Sequence, residues 1–371
     1  MNSTTTVTTK PHYLILDALR GVAAIMVVLF HIFEAHSTSH LDIVVNHGYL
    51  AVDFFFMLSG FVIGYAYDDR WGTITTGNFF KRRLVRLQPM VVMGMIIGAI
   101  CYYYGESKLF PMIGTMPVWQ LLLIMVIGFT LIPVPPSMDI RGWQEMHPLN
   151  GPGWSLFFEY IANILYALFI RKFSKTALAV LVGISGAALL HLAVTSPTGD
   201  VVGGWSITLE QLRIGFTRLM FPFFAGLLLC RVVTISHIKN AFLWSGLLLV
   251  IILAMPRIGG ADHLWLNGLY DSLSIMLIFP IIIYVGAAGA VHNKLSLKVC
   301  KFFGDISYPI YITHYPLIYI YTAWVIDNKL SFSEALLQAA LLFAGAVVIA
   351  YASLKLYDEP VRKWLVRKWG N

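Results

Sequence analysis

The sequence predicts an all-α fold, a polytopic membrane bundle of about ten transmembrane helices with one short re-entrant or interfacial segment. Three observations predict it. Of 371 residues, 58% are hydrophobic and only 12% charged, about half the charged fraction of a soluble domain. The mean hydropathy is +0.74. Apolar runs of about 20 residues, the length that crosses a hydrocarbon core, recur over 13–33, 47–67, 84–104, 153–170, 175–194, 211–231, 238–256, 269–288, 303–325 and 334–356. An eleventh run, 118–133, is shorter and stops at Pro133-Val134-Pro135-Pro136.

Lysine and arginine in short loops set the expected orientation. Arg70 with Lys81, Arg82, Arg83 and Arg86, then Arg171 with Lys172 and Lys175, Arg231 with Lys239, Lys294 with Lys298 and Lys301, and Arg362 with Lys363, Arg367 and Lys368 mark cytoplasmic loops and the tail. Loops 34–46 and 195–210 carry neither residue. If 118–133 crossed fully, the Arg171–Lys175 cluster would face outside. Ten crossings keep every basic cluster inside, so both termini are expected in the cytoplasm. Non-helical backbone at membrane depth is tolerated only where protein buries it or a cavity runs past it, so 118–152 is a candidate wall of a site. The expected organisation is a polar cytoplasmic head over 1–12, a transmembrane domain over 13–356 and a basic cytoplasmic tail over 357–371. Residues 1–9 are uncharged and the apolar run behind them is long, which reads as a retained first span rather than a cleaved signal.

The same pattern excludes other classes. The net charge of +7 sits beside apolar runs, as in loops facing anionic lipid, and no basic–aromatic stripe suggests nucleic acid. Cys101, Cys230 and Cys300 are widely spaced and read as packing residues. His31 and His36 diverge by about 140° on a helix and no HExxH spacing occurs, so no metal is expected. The absence of a clear internal repeat weighs against transporters built from repeats.

Ionisable residues inside spans are expensive in lipid and mark sites. In the first run, Leu16-Asp17-Ala18-Leu19-Arg20-Gly21 precedes His31. Eleven residues bring Arg20 and His31 onto one helix face, about 16 Å apart along the axis. Arg20 reads either as an interfacial residue paired with Asp17 or as one facing the bundle interior. His31 suits proton abstraction, and Glu34, one turn on, would make a base–orienter pair. Asp53 is a charge within the second run, where Ser59-Gly60 reads as close helix packing. Arg83 and Arg86 share a helix face and can grip phosphate. Glu159 follows Trp154-Ser155-Leu156 and is expected at a depth comparable to His31. Tyr308 and His314 lie in the hydroxyl-rich stretch Gly304–Pro316, expected to line a polar cavity.

These residues resemble the membrane acyltransferases of acyltransferase family three, the O-antigen and exopolysaccharide O-acetyltransferase type, over about 13–364. Arg20 and His31 are similar to its Arg-x10-His motif, Arg83 and Arg86 to its Arg-x-x-Arg motif, and Trp154-Ser155-Leu156 with Glu159 to its Trp-Ser-Leu…Glu stretch. Ser307-Tyr308-Pro309, His314-Tyr315-Pro316 and Glu359-Pro360 also match. The resemblance implies an acyl-CoA donor, often acetyl-CoA, on the cytoplasmic side of a bacterial-type inner membrane, and a carbohydrate hydroxyl as acceptor. By residue it implies His31 as catalytic base and Arg20, Arg83 and Arg86 as donor-handling residues. With it, Glu159 is expected to orient His31 or the acceptor, and Asp17, Asp53, Trp154, Ser155, Tyr308 and His314 to line the cavity. Direct transfer and an acyl-enzyme both stay open, a homodimer is admitted, and the chain is expected to have no room for the esterase-like domain some members carry. The rival reading is a transporter of a lipid-linked saccharide or polysaccharide, which would consume no acyl-CoA.

Overall fold

The computed structural model describes residues 10, 12–291 and 293–369, so most of the predicted polar head lies outside it. Among the described residues the elements are helical, apart from one isolated bridge between Ile238 and Gly289. The helices are α1 (Leu14–Glu34), α2 (Ala51–Tyr67), α3 (Thr76–Tyr103), α4 (Val118–Phe129), α5 (Gly153–Leu168), α6 (Lys175–Val194), α7 (Leu209–Val232), α8 (Ala241–Ala254), α9 (Leu264–Leu273), α10 (Phe279–Ala287), α11 (Lys294–Thr313), α12 (Tyr315–Asn328), α13 (Leu336–Ser353) and α14 (Glu359–Trp369). Short side-chain caps start several of them: Thr75, Ser174 and Thr208 each accept a backbone N–H of the first turn.

Seven of the ten predicted runs coincide with helices long and apolar enough to cross a membrane. The run at 153–170 is the 16-residue α5 and that at 238–256 the 14-residue α8. The run at 303–325 is not one helix, because α11 ends at Thr313 and α12 begins at Tyr315. Pro316 causes the break: it has no N–H for the carbonyl four residues back. That carbonyl, of Ile312, instead accepts from Asn150 Nδ2 at 2.7 Å, so the acceptor freed by the proline is not left bare within the bundle. Pro280 and Pro360 are absorbed differently. Each follows a widened π-turn, Ser274–Ile278 and Leu354–Asp358, that joins α9 to α10 and α13 to α14. The basic tail is therefore the helical continuation of α13. Helix α4 has 12 residues, about 18 Å of rise against a core of about 30 Å, and is too short to cross, as its sequence predicted.

Glycines let the central helices touch. A Cβ on Gly226 of α7 would sit 1.9 Å from the Met57 carbonyl oxygen of α2, and one on Gly60 would sit 2.1 Å from that of Phe223. Ser59-Gly60 is thus the close-packing step expected of it, and α1 meets α11 in the same way at Gly21. Next to the α2–α7 crossing lies a buried ion pair. Arg218 Nη2 reaches Asp53 Oδ2 at 2.6 Å, with the two side chains 2% and 0% exposed. The same guanidinium donates to the carbonyls of Tyr49 and Gly203. Asp53 is therefore spent on structure rather than lining a cavity.

At the end of the bundle beyond Glu34, three loops converge on the buried Asp200. His40 Nδ1 approaches its carboxylate at 2.9 Å and Arg257 Nη1 at 3.1 Å. The hydrogen bond to Asp200 raises the His40 pKa against its partial burial, with Glu34 adding to the rise and Arg257 opposing it. Burial pushes Asp200 up, but the His40 and Arg257 contacts win and hold it below the ordinary carboxylate value.

Two outcomes follow from these pairs. Asp53→Asn alone leaves Arg218 buried and uncompensated, and is expected to cost about 3–5 kcal/mol. Thermal unfolding in detergent should rank it below the double variant Asp53→Leu/Arg218→Met; equal melting of Asp53→Asn and wild type would remove the pair's assigned weight. The His40 contact, with its raised pKa, is complete below about pH 6.5 and is lost as pH rises through that raised value. The depressed Asp200 gives way only when pH falls through its own lowered value. Hydrogen exchange in 35–47, corrected for intrinsic rate, should be slowest in mildly acidic buffer and quicken above neutrality, and His40→Gln should abolish the quickening.

Candidate functional site

Two cavities open at opposite ends of α1. The first, about 870 Å³, is bounded by the early α1 residues Leu14, Asp17 and Arg20, and by α2, α3, α5, α11 and α14. Eight lysines and arginines line it against five carboxylates, giving it a basic wall. The second, about 530 Å³, takes its wall from the late α1 residues Val27, Phe30, His31 and Glu34, from Trp143, Glu145 and Gly151 before α5, and from α12. Two residues, Val52 of α2 and Tyr311 of α11, line both cavities. They form the partition, where the Tyr311 hydroxyl meets Ser155 Oγ at 2.7 Å.

The α1 spacing decides which residue faces which cavity. Arg20 Nε donates to Ser307 Oγ at 3.0 Å and Nη2 to Asp17 Oδ1 at 2.8 Å, so both expectations for Arg20 hold together: it pairs with Asp17 and faces the interior. Asp17 also receives His12 at 2.8 Å, and that hydrogen bond raises the His12 pKa. Arg83 and Arg86 share the cavity but differ in state. Arg83 is buried, with Nε on Asn163 Oδ1 at 2.8 Å, whereas Arg86 lines the same cavity but is exposed. An exposed guanidinium beside a buried one suits an incoming phosphate. Tyr308 lines the same cavity and donates to the Leu87 carbonyl at 2.8 Å.

Glu159 also belongs to the basic cavity. It accepts from Ser59 Oγ at 3.1 Å and lies among Arg20 and Arg83, whose charges it balances. It does not share the cavity of His31, contrary to the expected depth. The cause is the α5 register: Trp154 faces the second cavity, Ser155 the partition, and Glu159 one turn later the first.

His31 is oriented by its own helix. Its Nδ1 lies 2.7 Å from Glu34 Oε2, one turn on, the side-chain contact that the helical spacing offered. A carboxylate there holds the proton on Nδ1 and leaves the Nε2 lone pair for chemistry. The ring is seated by His314, stacked 5.7 Å away, and by Tyr315, edge-on at 4.7 Å. His314 sits behind His31 rather than on the cavity wall. It is fully buried and its Nδ1 contacts the carbonyls of Ile310 and Tyr311 at 2.9 Å. The helix break beside Pro316 is what delivers His314 and Tyr315 to this position.

Sequence reasoning named Tyr311 and Tyr315 only as part of the hydroxyl-rich stretch, with no role of their own, and did not single out Tyr319 or the loop residue Glu145. The tyrosines recur at i, i+4 along one face across the break, a signal in the sequence that apolar patterning hid. Glu145 had no such signal, because only the loop's path carries it to the cavity.

A family profile described as an acyltransferase domain matches residues 13–355. "Protein 2 in picA locus" of Rhizobium radiobacter is 31% identical over 188 residues, covering 49% of this chain and 94% of that protein. "O-acetyltransferase OatA" of Staphylococcus aureus (strain NCTC 8325 / PS 47) is 24% identical over 372 residues, covering 95% of this chain. The chain spans 58% of OatA's length. No solved structure matches. With the profile running from the start of α1 to the end of α13 across both cavities, this multi-pass membrane protein belongs to acyltransferase family three.

Proposed function

We propose that the protein is a membrane-bound O-acyltransferase that moves an acyl group, acetyl in the simplest case, from acyl-CoA to a carbohydrate hydroxyl. The observation that carries this reading is the pair of unlike cavities meeting at Val52 and Tyr311: arginines on one side, the His31–Glu34 pair on the other. The basic cavity suits the phosphates of CoA, and its thioester end would reach the partition. By the positive-inside pattern this cavity faces the cytoplasm of a bacterial-type inner membrane.

In the reaction proposed, the acceptor enters the second cavity and loses its hydroxyl proton to His31 Nε2. Its oxygen attacks the thioester carbonyl carbon. The C–S bond breaks, and the CoA thiolate takes the proton back from His31. Glu34 stabilises the imidazolium formed between these steps. Arg86 grips donor phosphate, and Arg20 and Arg83, held by Asp17, Ser307, Asn163 and Glu159, keep the cavity basic and shaped. OatA's name as an O-acetyltransferase supports the same assignment.

The test is transfer of label from acetyl-CoA to envelope glycan in membranes carrying the protein. His31→Ala should reduce kcat by about 10²–10⁴, the range for loss of a general base. Arg86→Ala should raise KM for acyl-CoA about tenfold or more with kcat little changed, as expected on losing one charged hydrogen bond of roughly 1.5–3 kcal/mol. Undiminished transfer by His31→Ala would move the base elsewhere; glycan passage without donor consumption would favour a transporter.

A further inference from the structure

The second cavity, lined by His31, also holds a carboxyl group that the reaction above does not use. Glu145 is 6% exposed, yet it lines the cavity. The Tyr319 hydroxyl donates to its Oε2. A Cβ on Gly151 would come within 2.9 Å of Oε1 and 3.1 Å of the Tyr319 hydroxyl oxygen, so glycine keeps the space over the pair open.

The loop that carries Glu145 is rigidly held. Asp139 accepts the backbone N–H groups of Arg141, Gly142 and Gln144. Arg141 lies 3.6 Å over the Tyr319 ring and donates to the Pro148 carbonyl at 3.0 Å. A buried carboxyl on so fixed a support, aimed into a cavity, is the arrangement of a binding group. Burial raises the Glu145 pKa to about 7, against Arg141 and Tyr319, which pull it down. Near neutrality it is therefore available both as an acceptor and as an O–H donor, the two roles a hydroxyl partner can answer.

Its surroundings define the ligand. Tyr315 and Tyr319, 4.6 Å apart, continue the wall from His31 to Glu145, and the Trp143 and Trp205 rings line the same space. Ring faces carry partial negative charge that suits the C–H faces of a sugar. Among the described lining residues no cation is free: Arg218 is spent on Asp53 and two carbonyls and His40 on Asp200, Glu34 and Glu145 are acidic, and Arg141 behind the wall is turned to the Tyr319 ring and the Pro148 carbonyl. An anionic group placed here would meet carboxyls and no unengaged guanidinium.

We propose that Glu145, with Tyr319 and the flanking Trp143 ring, forms an acceptor subsite for an uncharged sugar ring, holding one of its hydroxyls while another reaches His31. This rests on the acyl-transfer reading above and narrows its acceptor class to neutral saccharides.

The test uses the full chain in lipid nanodiscs with acetyl-CoA, and either a neutral hexose oligosaccharide or its uronic-acid counterpart as acceptor. Wild type should acetylate the neutral acceptor with a KM at least about tenfold below that of the uronate. Glu145→Ala should raise KM for the neutral acceptor about tenfold, the effect of one lost hydrogen bond of the stronger kind, with kcat and KM for acetyl-CoA within about twofold. Glu145→Gln, which keeps a donor and an acceptor, should recover most of the loss. Trp143→Ala, at a partly exposed position, should raise the same KM and covers the case in which Glu145→Ala fails to fold. Preference for the uronate, or an acceptor KM unmoved in Trp143→Ala and in folded Glu145→Ala, overturns the subsite while leaving acyl transfer intact. Failure of wild type to acetylate any glycan overturns both.

Discussion

The ion pair between Asp53 and Arg218 ties α2, the turn before it, α7 and the loop before α7 to one buried guanidinium. It joins α2 to α7 where glycines have already brought their backbones together. It also extends to the carbonyls of Tyr49 and Gly203, so one guanidinium secures the entry into α2 and the loop before α7. A charge is tolerated in lipid surroundings only when paired and fully bonded, and every donor direction of Arg218 that these contacts use is turned inward. Trp154 lies over the same guanidinium, its ring 5.2 Å away, which sets the start of α5. The floor of the His31 cavity is therefore a by-product of satisfying one buried charge.

The same demand for internal satisfaction explains the irregular helices. Pro316 strips the Ile312 carbonyl of its helical partner, and Asn150, from the loop before α5, replaces it. This repair has a functional side. It anchors the 139–152 loop, whose Glu145 and Trp143 face the cavity, to the kink that positions His314 and Tyr315 against His31. Irregular backbone at membrane depth is thus confined to where protein buries it or a cavity runs past it.

The two cavities are unlike because α1 presents different chemistry at its two ends. Arg20 and Asp17 stand near its start, His31 and Glu34 near its finish, about 16 Å apart. The neighbouring helices repeat the division, with Arg83, Arg86 and Glu159 on the first side and Tyr315 and Tyr319 on the second. Among the described residues, Val52 and Tyr311 alone line both sides, and they stand where the two cavities meet.

Much of this was legible in the amino-acid sequence. Composition and apolar runs announced a helical membrane bundle, because lipid penalises charge and bare backbone wherever the chain crosses. Helical periodicity alone put Arg20 and His31 on one face and Glu34 one turn beyond His31, and arginine spacing put Arg83 beside Arg86. Those are local relations, set by the geometry of a single helix. Long-range relations were hidden. The sequence could not tell that Asp53 would be consumed by Arg218, that the register of α5 would turn Glu159 to the arginines rather than to His31, or that the run at 303–325 would divide at His314. Nor could it bring Glu145 onto the wall of the cavity that His31 lines. Each depends on which helices pack together and at what rotation, and that is decided by glycine contacts, buried ion pairs and repaired carbonyls between segments as far apart in sequence as Gly21 and Phe303.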